Sequence, residues 1–231
     1  MMADTDRDDM LADIRSSLEI ASDIPYAIGG EDQPLEGYLA AELFDDHDAM
    51  RTRFAEELAN VSADFDVLSD QAAAAKWAGE VLTVDGFNTL VVAEEGLCLD
   101  IAKAIRADRP ELEIVVAGDL EGPERQARLA QPTAALVEVD YALADIGSLV
   151  VLRDKTASML PHFLPESVMV IVRPDQLLAN QFELIKVLPQ DAGRNMVFIT
   201  GPSRTADVEK VLILGAHGPR RVSVGMLESA D

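Results

Sequence analysis

The chain is predicted to be an α/β protein with a mostly parallel, mixed sheet that carries helices on both faces. From residue 49 onward, short apolar runs rich in β-formers alternate with stretches whose apolar residues recur at helical spacing. This alternation is typical of a parallel sheet, because each crossover between parallel strands usually passes through a helix. Strand-like segments at 134–139 and 147–152 lie only a few residues apart, which suggests an antiparallel pair inserted in the alternation.

The individual elements follow from these periodicities. Apolar residues three and four positions apart predict helices at residues 49–61, 70–82, 95–107, 122–130 and 175–188. Short apolar runs predict strands at residues 89–93, 113–117, 134–139, 147–152, 167–172, 196–200 and 222–227. The last of these is expected to close the sheet.

Residues 1–48 are predicted to be an acidic N-terminal extension, and residues 49–231 a single α/β domain. The spacing of apolar residues indicates a short amphipathic helix at 8–20, while 21–48 is rich in Gly, Pro and Asp and is interpreted as loop. His47 lies among aspartates, so it is either a metal ligand or part of a solvated acidic turn. The turn is favoured because no second histidine or cysteine lies nearby.

Charge and hydropathy narrow the functional class. The chain has 42 acidic and 19 basic residues, for a net charge of −23. A protein of this charge lacks the broad basic surface that nucleic acids require, so we expect no nucleic-acid partner. No apolar run is long enough to cross a bilayer, and the acidic N-terminus is unlike a signal peptide. We therefore expect a cytoplasmic protein.

The sequence is poor in the residues that hold metals and clusters. Its one cysteine, Cys98, lies in an apolar part of a predicted helix and is interpreted as a buried small side chain rather than a reactive thiol. One cysteine cannot hold an iron–sulfur cluster, and three scattered histidines do not predict a zinc site. There is no dinucleotide-binding glycine motif, no phosphate-binding Walker motif and no serine nucleophile elbow. We expect no cofactor and no metal in this chain.

The segment after the predicted strand at 196–200 indicates an anion-binding loop. Gly201, Pro202, Ser203 and Arg204 break the strand, and Thr205 is expected to cap a following helix. A loop that opens a helix points unpaired N–H groups and the positive helix end at one place, where a phosphate or carboxylate binds. The alternative is that Ser203 and Thr205 only cap a helix and Arg204 lies on a solvated surface.

A second loop adds to this prediction. It contains His217 and Gly218, followed by Arg220 and Arg221, where the predicted helix ends. Between residues 194 and 221 there are five basic residues against two acidic ones, in a protein that is strongly acidic elsewhere. Such a basic island could concentrate an anionic ligand.

The segment 138–148 is the second candidate region. Asp145 lies in the connection before Gly147 and Ser148, where a small residue allows the backbone to approach a ligand. Asp145, Asp207, Glu209 and His217 are the candidate catalytic residues, although Asp207 and Glu209 are equally explained as favourable charges near a helix N-terminus. A pairing of Ser158 with His162 is a weak alternative, because Pro161 interrupts a continuous helix face.

These segments resemble the LutC/YkgG family, whose shared unit is the LUD domain. The resemblance rests on ITGPSRTADVE (199–209), LGAHGP (214–219), DYALADIGSLVVL (140–152) and SMLPHF (158–163), and extends over roughly residues 85–227. Two positions depart from the family pattern. Asp145 stands where the family usually has glutamate, and Lys155-Thr156-Ala157 replaces a segment that usually contains an arginine.

The resemblance implies a fold similar to the NagB/RpiA/CoA-transferase group. It also implies participation in the oxidation of L-lactate to pyruvate together with iron–sulfur partner proteins, and it assigns no catalytic residue. We therefore expect a LutC-like component that binds a carboxylate or phosphate at Gly201–Thr205. Two alternatives stay open: a self-sufficient enzyme acting on phosphorylated sugars or CoA esters, and a non-catalytic metabolite-binding scaffold.

Overall fold

A computed structural model describes residues 44, 46–93, 96–131, 133–153, 158–188, 195–206, 212–214 and 218–229. The predicted N-terminal helix at 8–20 and most of the predicted extension lie outside these residues, and the predicted domain boundary at residue 48 stays a prediction. None of the helices in the described ranges is long and apolar enough to cross a membrane.

The described chain alternates between helices and strands. The helices are α1 His47–Asn60, α2 Gln71–Asp85, α3 Leu97–Asp108, α4 Gly122–Leu129 and α5 Gln181–Val187. The strands are β1 Asp64–Leu68, β2 Thr89–Val92, β3 Glu113–Val116, β4 Ala134–Glu138, β5 Tyr141–Leu143, β6 Ser148–Arg153, β7 Ser167–Val172, β8 Leu177–Leu178, β9 Asn195–Ile199, β10 Arg204–Ala206, β11 Leu212–Leu214 and β12 Arg221–Leu227. Short 3-10 turns lie at Ala117–Asp119, Leu160–His162 and Pro174–Gln176.

Helix starts and stops follow local chemistry. The Asp46 side chain accepts a hydrogen bond from Ala49 N at 2.8 Å and caps α1. His47 is thus the first residue of a helix, and its Nε2 donates to Pro174 O at 2.8 Å. The interpretation of His47 as part of a solvated acidic turn was therefore wrong, because Asp46 nucleates a helix there. Asp70 caps α2 in the same way, and Gly86, with a φ of 76°, ends it.

The main sheet has six strands in the order β1-β12-β7-β4-β2-β3, and every neighbouring pair is parallel. β12 therefore lies between β1 and β7 instead of closing the sheet at an edge. β1 was not predicted from the sequence. Its acidic residues Asp64 and Asp66 are exposed at the sheet edge, and Leu68 is its one buried residue, so no apolar run marks it.

Both faces of this sheet are covered. On one face, α2 and α3 pack Leu82 and Ile101 against Leu90, Leu136 and Met169. On the other face, α1 and α4 share a core with strands of a second sheet, and this core contains Phe54, Leu58, Leu129, Leu149, Val137, Val170 and Val224. Each strand alternates its side chains between the two faces, as a pleated strand requires. The predicted α/β class, with a mostly parallel sheet and helices on both faces, is confirmed.

The second sheet has four strands in the order β8-β5-β6-β9. β6 pairs antiparallel with β5, with Leu143 opposite Ser148, and with β9, with Val151 opposite Val197. An antiparallel pair was predicted between 134–139 and 147–152. That prediction was wrong, because 134–138 is β4 in the main sheet and the antiparallel partner of β6 on that side is β5. The short strand β5 was missed, since its three residues carry too little periodicity to mark it.

Two predicted helices differ from the structure. The helix predicted at 175–188 begins only at Gln181, where the Asn180 side chain accepts from Phe182 N and Glu183 N. The helix predicted after Thr205 was wrong, because Arg204–Ala206 and Leu212–Leu214 form an antiparallel hairpin, β10–β11. The apolar run at 211–214 fits a strand as well as a helix face, and cross-strand pairing decides between them.

Candidate functional site

The predicted anion-binding loop follows β9 of the second sheet. Gly201 has a φ of 76°, and a Cβ placed on it would lie 2.7 Å from Val61 Cγ2. Any other residue would clash there, so close packing against the end of α1 accounts for this glycine. Because β10 follows this loop, Thr205 does not cap a helix. The Gly201–Thr205 loop therefore leads into a strand, and the prediction that it opens a helix was wrong.

The two predicted loops do meet. Ser203 N donates to Pro219 O at 2.8 Å, and a Cβ on Gly218 would lie 3.1 Å from Ser203 Cβ. Their contacts lie just before β1 and β12 begin, which places the loop near the amino ends of the parallel strands. The candidates Asp207, Glu209 and His217 lie outside the described residues, as do the side chains of Arg204 and Thr205.

The second candidate region, 138–148, contacts the chain just before the predicted anion-binding loop. Ser148 Oγ and Thr200 Oγ1 are 2.6 Å apart, so the residue after Gly147 contacts the residue before Gly201. Gly147 has a φ of 61°, and a Cβ on it would lie 2.8 Å from the backbone carbon of Glu57 in α1. We call Gly147, Ser148, Thr200 and Gly201 the loop cluster. Ser148 is only 1% exposed, so its described role is to bond the two segments together.

Asp145 occupies the turn that joins β5 to β6. Its backbone N donates to Ala179 O at 3.1 Å, which fixes the turn against the segment before α5. Ser158 and His162 lie on either side of Pro161. His162 is buried, and its Nε2 donates to Glu138 O at 3.2 Å. The Ser158 hydroxyl accepts from Leu160 N at 3.3 Å, so each of the two residues has a hydrogen-bond partner of its own.

The two arginines of the second loop are held by acids from distant parts of the chain. Arg221 contacts Asp64 at 2.8 Å and Asp85 at 2.7 Å, and Arg220 lies 3.5 Å from Glu166. With Phe87 and Ser167, four of these residues line a cavity of about 330 Å³ at the amino ends of β7 and β12. Two of the five basic residues of this segment, Arg220 and Arg221, are thus paired with carboxylates that come from distant parts of the sequence.

The opposite edge of the main sheet has the geometry that favours ligand binding in such folds. β2 lies between β3 and β4, so the chain leaves β2 toward one neighbour and later returns to the other. Helix α3, which connects β2 to β3, packs on one face of the sheet. Helix α4, which connects β3 to β4, packs on the other face. Ligands of open α/β sheets bind in the crevice at the carboxyl ends of the strands where the order reverses.

Charged residues lie at this carboxyl edge, which we define by Gly96, Glu138 and Arg173. Glu138 is the last residue of β4, and Arg173 directly follows the neighbouring strand β7. Arg173 Nη2 lies 2.6 Å from Glu138 Oε1, and about a third of each side chain is exposed (34% and 30%). Gly96 precedes α3, and a Cβ on it would lie 4.0 Å from Glu138 Oε2.

Neighbouring residues hold this ion pair in place. Gln176 Nε2 donates to Val139 O at 2.7 Å, and Gln176 Oε1 accepts from Arg173 N at 2.7 Å. With the bond from His162 to Glu138 O, the backbone around Glu138 is held by two long-range contacts, and Arg173 N by a local one. Glu138 begins the candidate region 138–148 but was given no role there, and Arg173 was not predicted. The available signal was a charged residue at the carboxyl end of each apolar strand, but strand order was needed to bring the two together.

Cys98 lies beneath this edge in the first turn of α3. Its side chain is buried, at 5% exposure, which confirms the interpretation of Cys98 as a small core residue. Burial raises the pKa of the Cys98 thiol, the Glu138 carboxylate raises it further, and Arg173 acts in the opposite direction. In the described part of the chain, no group of three or more His, Cys, Asp or Glu side chains could hold a metal ion.

The architecture and the carboxyl edge define an α/β protein whose parallel sheet reverses its strand order beside an exposed Arg–Glu pair. Residues 51–224 match the LUD domain family model, and the chain belongs to the LUD domain family. Lactate utilization protein C of Bacillus pumilus is 31% identical over 105 residues, which cover 42% of this chain and 44% of that protein. Lactate utilization protein C of Oceanobacillus iheyensis is 28% identical over 108 residues, covering 44% and 46%.

Another relative is aligned over most of its length. Uncharacterized protein YkgG of Escherichia coli is 26% identical over 196 residues, covering 82% of this chain and 84% of that protein. The chain thus spans less than half of the two LutC relatives and most of YkgG. The crystal structure of a DUF162 family protein from Deinococcus radiodurans superposes with a TM-score of 0.56 at 17% identity, covering 79% and 98%, which supports the fold. The resemblance to the LutC/YkgG family is confirmed.

Proposed function

We propose that this chain is a LutC-like component of a cytoplasmic system that oxidises L-lactate to pyruvate. The observation that carries the proposal is its similarity to relatives named lactate utilization protein C, within a match to the LUD domain that covers most of the chain. The proposed role is that of a subunit which binds a small anionic metabolite.

The redox centres of the proposed system belong to iron–sulfur partner proteins. A cluster held by cysteines needs several thiolates, and this sequence has one cysteine. That cysteine is buried in α3, where it packs with Ile101 and Leu136 in the core. Binding to partners and to the metabolite, with no cofactor of its own, is the role that this residue content supports.

A carboxylate or phosphate is proposed to bind at the Gly201–Thr205 loop, together with Gly218 and His217. The contact between Ser203 and Pro219 supports this idea, because it brings the two predicted loops to one place. Arg204→Ala is expected to weaken binding of inorganic phosphate and acetate by about tenfold, the effect of losing one charged hydrogen bond. Arg128→Ala, which breaks a surface pair with Glu113, is the matched control. Unchanged affinity in Arg204→Ala would remove this loop from the proposal.

The pathway role is tested by deleting the gene and measuring growth on L-lactate as the carbon source. Loss of growth on L-lactate, with normal growth on pyruvate and rescue by the wild-type gene, is expected. Normal growth on L-lactate in a strain with no second lactate route would refute the role. Turnover by the purified chain mixed with its partner proteins then separates a catalytic subunit from a scaffold.

A further inference from the structure

We infer that the carboxyl edge formed by Arg173, Glu138 and Gly96 is a binding site for a small 2-hydroxycarboxylate. The inference rests on the proposed function for the identity of that acid, L-lactate. This site is separate from the anion site proposed at the Gly201–Thr205 loop and lies at the opposite edge of the main sheet. Three features of the edge support it.

The first feature is the guanidinium of Arg173. It carries five N–H donors, and within the described ranges its ion pair is with Glu138. A guanidinium has a flat edge that matches the two oxygens of a carboxylate. Nη2 donates to Glu138 Oε1, and the N–H groups on another edge of the guanidinium can donate to the carboxylate of a ligand. About a third of the side chain is exposed, so a ligand can reach it from solvent.

The second feature is the position of Glu138. One of its oxygens, Oε1, meets Arg173, while Oε2 lies 4.0 Å from where a Cβ on Gly96 would be. Gly96 has a φ of 125°, which favours glycine, so this position carries no side chain beside Oε2. An ionised carboxylate only accepts hydrogen bonds. Oε2 is therefore suited to the C2 hydroxyl of a hydroxy acid, which donates, and not to the C2 carbonyl of a keto acid.

The third feature is the rigidity of the pair. Both backbones are fixed by His162 and Gln176, and the two strands that carry the pair are neighbours over five paired residues, Ala134–Glu138 and Ser167–Ile171. Binding then requires little ordering of the site, which reduces the entropic cost of holding a small ligand. An incidental surface ion pair does not need this support. The Arg173–Glu138 pair also lies near the reversal of strand order, where α/β sheets bind ligands.

The test is titration of the purified full-length protein with sodium L-lactate and with sodium pyruvate, using sodium chloride at equal ionic strength as the blank. Wild type is expected to bind L-lactate saturably and more tightly than pyruvate. Arg173→Gln is expected to weaken binding of both acids by about ten- to a hundredfold, the range for charged hydrogen bonds. Arg128→Gln, which breaks the matched pair with Glu113, is expected to change neither.

Glu138→Gln isolates the second feature. This variant removes the carboxylate that competes for Arg173, so pyruvate binding is expected to be retained or to tighten, while the preference for L-lactate falls toward one. Retention of that preference would refute the role of Oε2. Absence of L-lactate binding by the wild-type protein, or equal effects of Arg173→Gln and Arg128→Gln, would refute the site. Native fluorescence of Trp77 in each variant verifies that it is folded.

The site and the pathway role can fail separately. If the deletion strain grows on L-lactate but Arg173 still governs binding of the acid, the site stands and the pathway role falls. In the opposite case the deletion strain cannot grow, the gene for Arg173→Gln restores its growth, and the purified variant binds L-lactate as tightly as wild type. The pathway role then stands and the site falls.

Discussion

Arg221 Nη1 lies 2.7 Å from Asp85 Oδ1, joining the first residue of β12 to the last residue of α2. The other oxygen of Asp85 accepts from Ser167 Oγ at 2.7 Å, and Arg221 Nε donates to Asp64 Oδ2 at 2.8 Å. The amino ends of three adjacent strands, β1, β12 and β7, are thus tied to the end of one helix. Asp85 is the centre of this arrangement, with a side chain that is 13% exposed.

Asp85→Asn is expected to lower the free energy of unfolding by about 1–2 kcal/mol, the low end for charged hydrogen bonds because Arg221 is partly exposed. Urea denaturation followed by the fluorescence of Trp77, the one tryptophan, measures the change. Glu166→Gln is the matched control, since its pair with Arg220 is longer, at 3.5 Å, and more exposed. That control is expected to change stability by no more than about 0.5 kcal/mol. Equal effects would contradict a structural role for the Asp85 contacts.

The packing role of Gly147 can be separated from its backbone conformation. Gly147 and Gly86 have similar φ values, 61° and 76°, but a Cβ would meet Glu57 at 2.8 Å in the first and nothing within 4 Å in the second. Gly86→Ala should cost about 1 kcal/mol from the left-handed backbone alone. Gly147→Ala should cost about 1–3 kcal/mol more, from steric overlap. Equal urea midpoints for the two variants would mean that α1 does not pack against Gly147.

The Cys98 thiol is expected to resist alkylation in the native protein. Burial and the Glu138 carboxylate both raise its pKa, and the thiolate is the reactive form. At pH 8, iodoacetamide should label Cys98 far more slowly in buffer than in denaturing urea, as measured by mass spectrometry. Labelling at the same rate in both solutions would contradict the burial.

The raised pKa of Cys98 also predicts how the free energy of unfolding changes at alkaline pH. The pKa of Cys98 is higher in the folded state than in the unfolded chain, so the folded state holds the proton more tightly. The contribution to stability is complete below the unfolded value, about 8.5, and is lost as pH rises above it. Cys98→Ala should therefore lose less stability than wild type between pH 8 and pH 10 in urea titrations. A parallel decline in both proteins would show that other groups control this range.

The hairpin β10–β11 makes a prediction for NMR. Thr205 lies opposite Ile213, and Arg204 lies opposite Leu214. Cross-strand nuclear Overhauser effects between these pairs are expected, because the backbones of antiparallel neighbours are about 4.5–5.5 Å apart at Cα. A helix through this region would instead give contacts between residues three and four apart in sequence. Observation of the helical pattern across 204–214 would contradict the hairpin.

Much of the fold could be predicted from local patterns. The strands with continuous apolar runs, such as Ala134–Glu138 and Ser167–Val172, and the helices α1 to α4 were identified to within about three residues of their true ends. These elements are marked by side-chain periodicity, which does not depend on distant residues. The edge strand Asp64–Leu68 was missed because its acidic residues face solvent, and one of them, Asp66, accepts a hydrogen bond from Trp77 Nε1 at 2.9 Å.

The candidate site was harder to predict than the elements. The loops at Gly201 and Gly218 were expected at the two ends of one helix, and that helix was wrong because a short apolar run is ambiguous until its partner strand is known. The two arginines at 220 and 221 looked like excess positive charge, yet Glu166, Asp85 and Asp64 neutralise them in space. Charge along a sequence segment does not report the charge around it after folding.

The periodicity of apolar side chains was sufficient to assign this chain to the α/β class, and the motifs at 140–152, 158–163, 199–209 and 214–219 carry its resemblance to the LUD domain family. The order of strands depends on non-local pairing, which leaves no local trace in the sequence. Placing β4 beside β7 brings Glu138 and Arg173, distant in sequence, to within 2.6 Å at the carboxyl edge. β9 pairs instead with β6 in the second sheet, and the contacts of the following loop with Val61 and Pro219 place it near the amino ends of the parallel strands. Tertiary packing, and not the local sequence, therefore puts the Gly201–Thr205 loop near the amino ends of the parallel strands and Arg173 at their carboxyl ends.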